Sequence, residues 1–584
     1  MNALRRVVQR LLNPFPPFPL IAGQYSSPLE ARACAAGHAH VERAFAEPRV
    51  RGIVTAFVRF LGDAEAERAL KKAYHMAYEQ RVRTLAFRLE PAARHGFDPI
   101  PPPEGDHPLD RVARAELEGL DARAAALPVS DRGRFAQLAA ALAWGFSLVA
   151  AASYIALRHG RSRVPPHRVD VLVPESVRDG NLAALVEAAK DAGFDGRMAV
   201  LCMHGRVRSA VLPSLEVASL PVPRAQWRRD VVVPAARLAG RVMVAAWRNR
   251  GDALALEIAT RCLNLACRSL AVRRVGYAIG FRMWLDDAEH DPIHTLKAII
   301  ARKTGACAVR FPRTEQDSPG VMMDFMGYDI YPSAGPYQQR TYGATWNPRC
   351  RMIPLGLMQH DRRIKRGLRV APDIERAILE RLTRKKMAVF FGPSDVSGLD
   401  RPMRELFDAT VAALAGRDDW FLVLKPKLTD RFFEQIAADP RYAGWKSRVD
   451  LVELRYPQPG VEICPSSWLI ERMALGAGWQ GTICTETVTQ KKPFFHWYPF
   501  VEETPYKRIL AEMGFLHTSF DGYRRAVRDY VENPDPSRYD FRWFGDSFDP
   551  LGDDDALGRL SGILCGDAAA RTGTSIRELA LERT

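Results

Sequence analysis

A chain of 584 residues exceeds what one hydrophobic core organises, and 47% hydrophobic with 26% charged residues excludes a disordered or fibrous class. Its formal charge of +15, from 83 Lys+Arg against 68 Asp+Glu, leaves three kinds of partner: nucleic acid, an anionic membrane surface or an anionic small substrate. Nucleic acid is excluded as the expected partner, because no zinc finger, RNP-type aromatic motif or helix-turn-helix stands beside a basic run.

Residues 1–133 read as helical, basic and rich in Arg and Ala, interrupted by the proline runs Pro14–Pro19 and Pro99–Pro103. Met1–Leu12 is a short amphipathic basic stretch without the long apolar core and cleavage site of a secretory signal. In the segment 134–164, Phe135–Leu157 runs 23 residues without a charge, long enough to cross a bilayer. Alanine supplies much of that run and contributes little to insertion. A buried core helix, an interfacial or re-entrant helix and a true span are therefore all open. Basic residues on both flanks (Arg132, Arg134, Arg158, Arg161, Arg163) favour a segment that stays on the cytoplasmic side, peripheral to the inner membrane.

From 165 to 370 helices and strands alternate. Strands are expected at Val169–Val173, Met198–Met203, Arg229–Val233, Ala306–Val309, Tyr328–Tyr331 and Cys350–Ile353, with helices at Asn181–Ala192, Ala253–Leu270, Ile293–Lys303 and Pro336–Tyr342. A second alternation fills 371–500. Its strands are Met387–Phe391, Trp420–Lys425, Val449–Leu454, Gly481–Cys484 and Phe494–Trp497. Its helices are Asp373–Lys385, Arg401–Ala415, Asp430–Ala438 and Ser466–Leu475. Residues 501–584 form a helical tail in this reading. Short apolar runs between helical patterns imply parallel sheets covered on both faces. The fold class is thus α/β, two Rossmann-like domains facing a cleft, preceded by a helical N-terminal region.

Ligands of such sheets lie beyond the carboxyl ends of the strands, where Ser394, Lys425 and Glu486 all fall. A carboxylate there suits two ribose hydroxyls, and the N-terminus of the next helix suits a phosphate. The alternative for Glu486 is a first-turn partner of the helix dipole. Nine scattered cysteines without a CxxC or zinc spacing point to a reducing cytoplasm, and no metal site or cofactor is expected. The adjacent acids Asp286-Asp287 and Asp553-Asp554-Asp555 read as a helix start and a solvated turn rather than a metal pair. The aromatic run Phe494–Phe500 reads as strand core, with a platform for a base or sugar ring as the alternative.

The two alternating halves, and a set of motifs between Val169 and Pro499, resemble bacterial surface-carbohydrate (capsule and O-antigen type) biosynthesis proteins of GT-B type, related to CDP-glycerol and Kdo transferase-like families. Leu424-Lys425-Pro426-Lys427 stands where those proteins carry Lys-Pro-His-Pro, and Thr485, Glu486, Lys492 and Pro493 match their Ser/Thr, Glu and Lys-Pro spacing. Asp286, Asp287, His294, Lys303, Gly305 and Ala306–Val309 follow the order of their N-terminal half, and Gly356–Asp361 (GLMQHD) occupies their Gly-x-x-x-x-Asp segment. Two family histidines are missing: Lys427 replaces one, and Val309-Arg310-Phe311-Pro312 lacks the usual His-Gly.

The resemblance implies metal-independent transfer of a sugar or polyol phosphate from a nucleotide-activated donor to a surface polysaccharide or lipid-linked acceptor. Lys425, Lys427, Arg310 and the helix N-termini after Ser394 and Thr485 would stabilise the leaving nucleotide. Asp286, Asp287 or His294 would serve as base toward the acceptor hydroxyl, unless the aspartates are helix caps and the histidine a satisfied surface side chain. A non-catalytic nucleotide-binding partner of a polysaccharide assembly complex and a GT-B-like sugar-nucleotide epimerase are the alternatives.

Overall fold

The computed structural model describes residues 28–89, 107, 109–127, 133–164, 167–177, 179–203, 209–287, 291–312, 324–392, 400–426, 431–455, 463–479, 481–498 and 504–565. Met1–Leu12 and both proline runs lie outside them. Two parallel sheets organise the chain. The first contains β1 (Val171–Pro174), β2 (Met198–Cys202), β3 (Ser214–Glu216), β4 (Met283–Asp286), β5 (Cys307–Arg310), β6 (Ile330–Ser333) and β7 (Arg351–Pro354), in the spatial order β3-β2-β1-β4-β5-β6-β7. The second contains β8 (Lys386–Phe391), β9 (Trp420–Lys425), β10 (Leu451–Glu453), β11 (Leu475–Gly478), β12 (Phe494–Trp497) and β13 (Leu516–His517), in the order β10-β9-β8-β11-β12-β13. Each sheet therefore starts in the middle, winds outward, and returns across its first strand to wind the other way. These are two Rossmann-like domains facing a cleft, behind a helical N-terminal region.

Both faces of the first sheet are covered, which is why β1 and β2 are apolar at every position. One face carries the helices Asp179–Asp191 and Ala556–Leu564. The other carries Ile293–Lys303 and Ala253–Ala278, which join the N-terminal helices Pro48–Leu61 and Ala66–Leu89 in one continuous core. Ala253–Ala278 starts where the Asp252 side chain accepts from the backbone N–H groups of Leu254 and Ala255. It is buried on nearly every side, its buried charged side chains being paired or bonded, Glu257 with Arg261, Arg268 with Asp291, and Arg273 and Arg274 to backbone carbonyls.

Gly133–Arg158 packs against Ala253–Ala278 and Val233–Arg248. Its inner face, with Leu138, Leu148 and Ile155, is buried, each such side chain contributing about 1.5–3 kcal/mol. Its outer face is exposed. Among the described residues it is the one helix long and apolar enough to cross a membrane.

Three expectations are corrected. Arg229–Val233 is not a strand: Arg228–Val232 is a π-helical turn leading into Val233–Arg248, whose buried Leu238, Ala239, Val242 and Ala246 recur with helical period. Gly481–Cys484 is not a strand either. The strand is the preceding Leu-Gly-Ala-Gly of β11, the helix expected over Ser466–Leu475 stops at Arg472, and Thr482–Thr489 is helical. Small residues there let the sheet close tightly, since a Cβ at Gly476 would lie 2.6 Å from the Phe494 ring. Finally, the chain past residue 500 is more than a tail. It supplies β13, the helix Phe520–Glu532 against Asp400–Leu414, and Ala556–Leu564, which returns to the first domain.

Candidate functional site

In a doubly wound sheet the strands on either side of the reversal leave a crevice at their carboxyl ends. In the first sheet the reversal lies between β1 and β4. There Ser176, just past β1, donates from its hydroxyl to the Asp287 carboxylate, just past β4. In the second sheet it lies between β8 and β11, with Phe391 opposite Gly478 and, on its other side, Lys425 at the end of β9. Two strand spacings, roughly 10 Å, thus separate the backbones of Lys425 and Gly478. Thr482–Thr489 begins just beyond β11. Thr485 and Glu486 are buried, the Thr485 hydroxyl 3.0 Å from the Tyr506 hydroxyl. Glu486 lies a turn into this helix rather than at a strand end. Side chains on a helix lean toward its N-terminus, which here is the end next to the carboxyl end of β11. Ser394 and Lys427 lie outside the described residues.

The other expected site residues belong to the framework below this rim. Asp286 is fully buried, ion-paired with Lys297 and accepting from the Tyr328 hydroxyl at 3.0 Å. Burial holds its pKa above the ordinary carboxylate value, and Lys297 opposes that shift. His294 is fully buried with both ring nitrogens occupied. Nε2 accepts from the Gly327 N–H at 3.0 Å, so Nδ1 donates to the Asp291 carbonyl. It cannot take up a proton without breaking a bond. Arg310 is buried too, donating to the Pro332 carbonyl at 2.8 Å with its guanidinium over the Tyr331 ring. Of the three acid–base candidates, Asp287 alone stands at the crevice and is not fully buried.

The two domains also touch through residues outside the expected site set. His360 Nε2 accepts from the Gln490 side chain at 2.8 Å, joining the GLMQHD segment to the end of Thr482–Thr489. Desolvation pushes the His360 pKa down to about 4, so the ring is neutral and free to accept. Tyr337, just past β6, packs on Tyr506, Trp543 and Phe548. Gly335 passes so close to the helix Arg542–Phe548 that a Cβ would lie 2.3 Å from the Ser547 carbonyl oxygen. The aromatic run after Pro493 is strand core, with Phe494, Phe495, Trp497 and Tyr498 all buried. His496 sits among them with its pKa lowered to about 3 by burial. Among the described residues no group of three or more His, Cys, Asp or Glu is placed to hold a metal.

No known family pattern and no curated protein matches this chain. Solved structures do. A putative UDP-N-acetylglucosamine 2-epimerase from Listeria monocytogenes aligns at 14% identity over 69% of this chain and 98% of its own, with a TM-score of 0.43. The wall teichoic acid polymerase TagF, in a variant form soaked with CDPG, aligns at 10% identity over 76% and 99%, with a TM-score of 0.40. The UDP-GlcNAc 2-epimerase of Methanocaldococcus jannaschii aligns at 9% identity over 68% and 99%, with a TM-score of 0.41. These are likenesses of overall fold and carry no residue assignments.

Proposed function

We propose that the protein binds a nucleotide-activated sugar or polyol phosphate at the carboxyl rim of the second sheet and transfers the group to a hydroxyl of a surface polysaccharide or lipid-linked acceptor. It works in the cytoplasm, at the inner-membrane surface. The observation that carries this reading is the pair of reversal points: Ser176 and Asp287 at one, Lys425 and the helix bearing Thr485 and Glu486 beside the other. Glu486 takes the ribose hydroxyls, while Lys425 and the start of Thr482–Thr489 take the phosphates. Ser394 and Lys427, which follow β8 and β9 in the sequence, complete the proposed set of phosphate contacts. Asp287 accepts the acceptor's hydroxyl proton as that oxygen bonds to the transferred group, and the nucleotide leaves with the electron pair of the bond that breaks.

Thermal shift across CMP, CDP, UDP and GDP, with and without sugars, identifies the donor. Glu486→Gln then weakens that nucleotide by one to two orders of magnitude, ~1.5–3 kcal/mol for a bond to a charged group. Lys425→Met weakens the nucleotide more than the free nucleoside. Unchanged affinity in Glu486→Gln, with normal melting, ends the ribose assignment.

The locked state of Asp286 and His294 favours a second reading, a nucleotide-binding partner without transfer activity. Tight nucleotide binding with no transfer in any acceptor mixture would select it. Turnover of a nucleotide-sugar with no acceptor present would select an epimerase.

A further inference from the structure

Six of the ten large hydrophobic side chains exposed among the described residues lie on two neighbouring helices, Gly133–Arg158 and Val233–Arg248. Phe135, Phe146 and Leu157 are 79%, 70% and 71% exposed. They follow one another at intervals of eleven residues, within ~20° of three full turns, so they form a straight ridge of roughly 33 Å along the helix. The second helix packs beside the first, Met243 lying against Gly145, and adds exposed Val244 and Trp247. Neither helix contains an acidic residue. Arg237, Arg241 and Arg248 are exposed on Val233–Arg248 and form no ion pair among the described residues. An apolar ridge bordered by arginines without acidic partners complements one kind of surface, a bilayer whose headgroups carry negative charge.

We infer that this two-helix face is where the protein docks on an anionic membrane, with Phe135, Phe146, Leu157, Val244 and Trp247 entering the headgroup–acyl boundary and the arginines meeting lipid phosphates. The inference rests on the peripheral placement proposed above and assigns it a surface. The helix Gly133–Arg158 lies flat rather than spanning. Leu138, Ala141, Leu148, Ala152 and Ile155 are committed to the protein core, and a span would have to withdraw all of them into lipid. A mixed ridge of this kind also resembles a face that a second copy of the chain would cover, but paired arginine rims would then repel.

The test uses the full chain and vesicles of phosphatidylcholine alone or with one third phosphatidylglycerol. The expected result is flotation with the anionic vesicles, weak flotation with the neutral ones, and partial release at high salt. Phe135→Ser/Phe146→Ser/Trp247→Ser removes flotation while melting and nucleotide affinity match the parent. Arg237→Glu/Arg241→Glu lowers anionic-vesicle affinity by at least about tenfold. A parent that floats with neither vesicle, or a triple variant that floats as the parent does, overturns the assignment. So does a parent dimer that the triple substitution converts to monomer without any vesicle binding. Nucleotide titration of the same samples reads the active-site proposal separately, so either idea can fail without the other.

Discussion

Asp286 illustrates how a carboxylate that reads as catalytic can belong to the scaffold. It is sealed beneath the rim with Lys297 and Tyr328, and removing its charge strands a buried ammonium. Asp286→Asn is expected to cost ~3–5 kcal/mol of stability, and Asp286→Asn/Lys297→Met to recover much of it, because the pair is deleted together. Chemical denaturation measures both. An Asp286→Asn protein that melts normally yet cannot transfer would return the residue to the chemistry. His360 gives a pH signature of its own. Its imidazole protonates near 6.5 in the unfolded chain but only at about 4 when folded, because burial excludes the charge and Lys365 nearby opposes it, with Asp554 acting the other way. The unfolded state binds more protons throughout that window, so this group's stability is full above 6.5 and lost as pH falls toward 4, by up to ~3 kcal/mol. Thermal melts of His360→Gln should fall less steeply between pH 7 and 5 than those of the parent. An identical slope would mean that His360 is charged or solvated in the folded protein. Neither residue's setting was legible in the sequence, since burial and partner identity come from segments far apart in the chain.

At the scale of elements, legibility followed apolar continuity. Met387–Phe391 and Trp420–Lys425 announce themselves as buried parallel strands, and both lie inside the second sheet with a strand on either side. Leu475–Gly478 does not, because glycine and alanine read as a turn, while the β-branched residues of Thr482–Thr489 mimic a strand. Tertiary packing decides the matter. Gly478 has φ +142°, and a Cβ there would lie 2.4 Å from the Phe391 carbonyl oxygen across the β8–β11 pair. Gly478→Ala is therefore expected to destabilise by about 1–3 kcal/mol and to disturb the rim that places Glu486. Gly481 differs: its backbone is extended and nothing lies within 4 Å of a Cβ, so Gly481→Ala keeps the sheet and weakens only the helix start. Equal melting of the two variants would remove the close-approach account of β11. The motif spacing Thr485–Glu486–Pro493 survived this shift of strand to helix, because it depends on sequence distance rather than on which residues carry the ladder.

For the whole molecule, the consequential feature is that the chain crosses between its domains twice. The first crossing is Arg362–Pro372. The second follows the helix Arg542–Phe548 and ends in Ala556–Leu564 against Asp179–Asp191. Several bonds hold the returning helix: Leu557 donates to Asp361 at 2.8 Å, and Arg363 pairs with Asp555 at 2.8 Å and with Asp191 at 3.2 Å. In the sequence the two alternations are expected to meet near residue 370, whereas the second crossing is not marked, because its anchor is an ordinary apolar helix with no local sign of where it docks. The exposed residues between Arg366 and Arg369 are the expected tryptic target among the described parts of this linker, since Arg363 is buried in its ion pairs. A nucleotide that bridges both domains should slow the cut by favouring a closed state. Cleavage there should not separate the halves. The fragments should run apart on a denaturing gel but elute together in native size exclusion, because Ala556–Leu564 still holds the second domain's chain to the first. Adding Leu557→Asp and Leu560→Asp, which place charge in the buried face of that helix, should let the nicked halves separate. Co-elution of the nicked variant would show that the domain contacts of Tyr337, His360 and Gln490 suffice without the returning helix, and dissociation of the nicked parent would show that the helix does not hold.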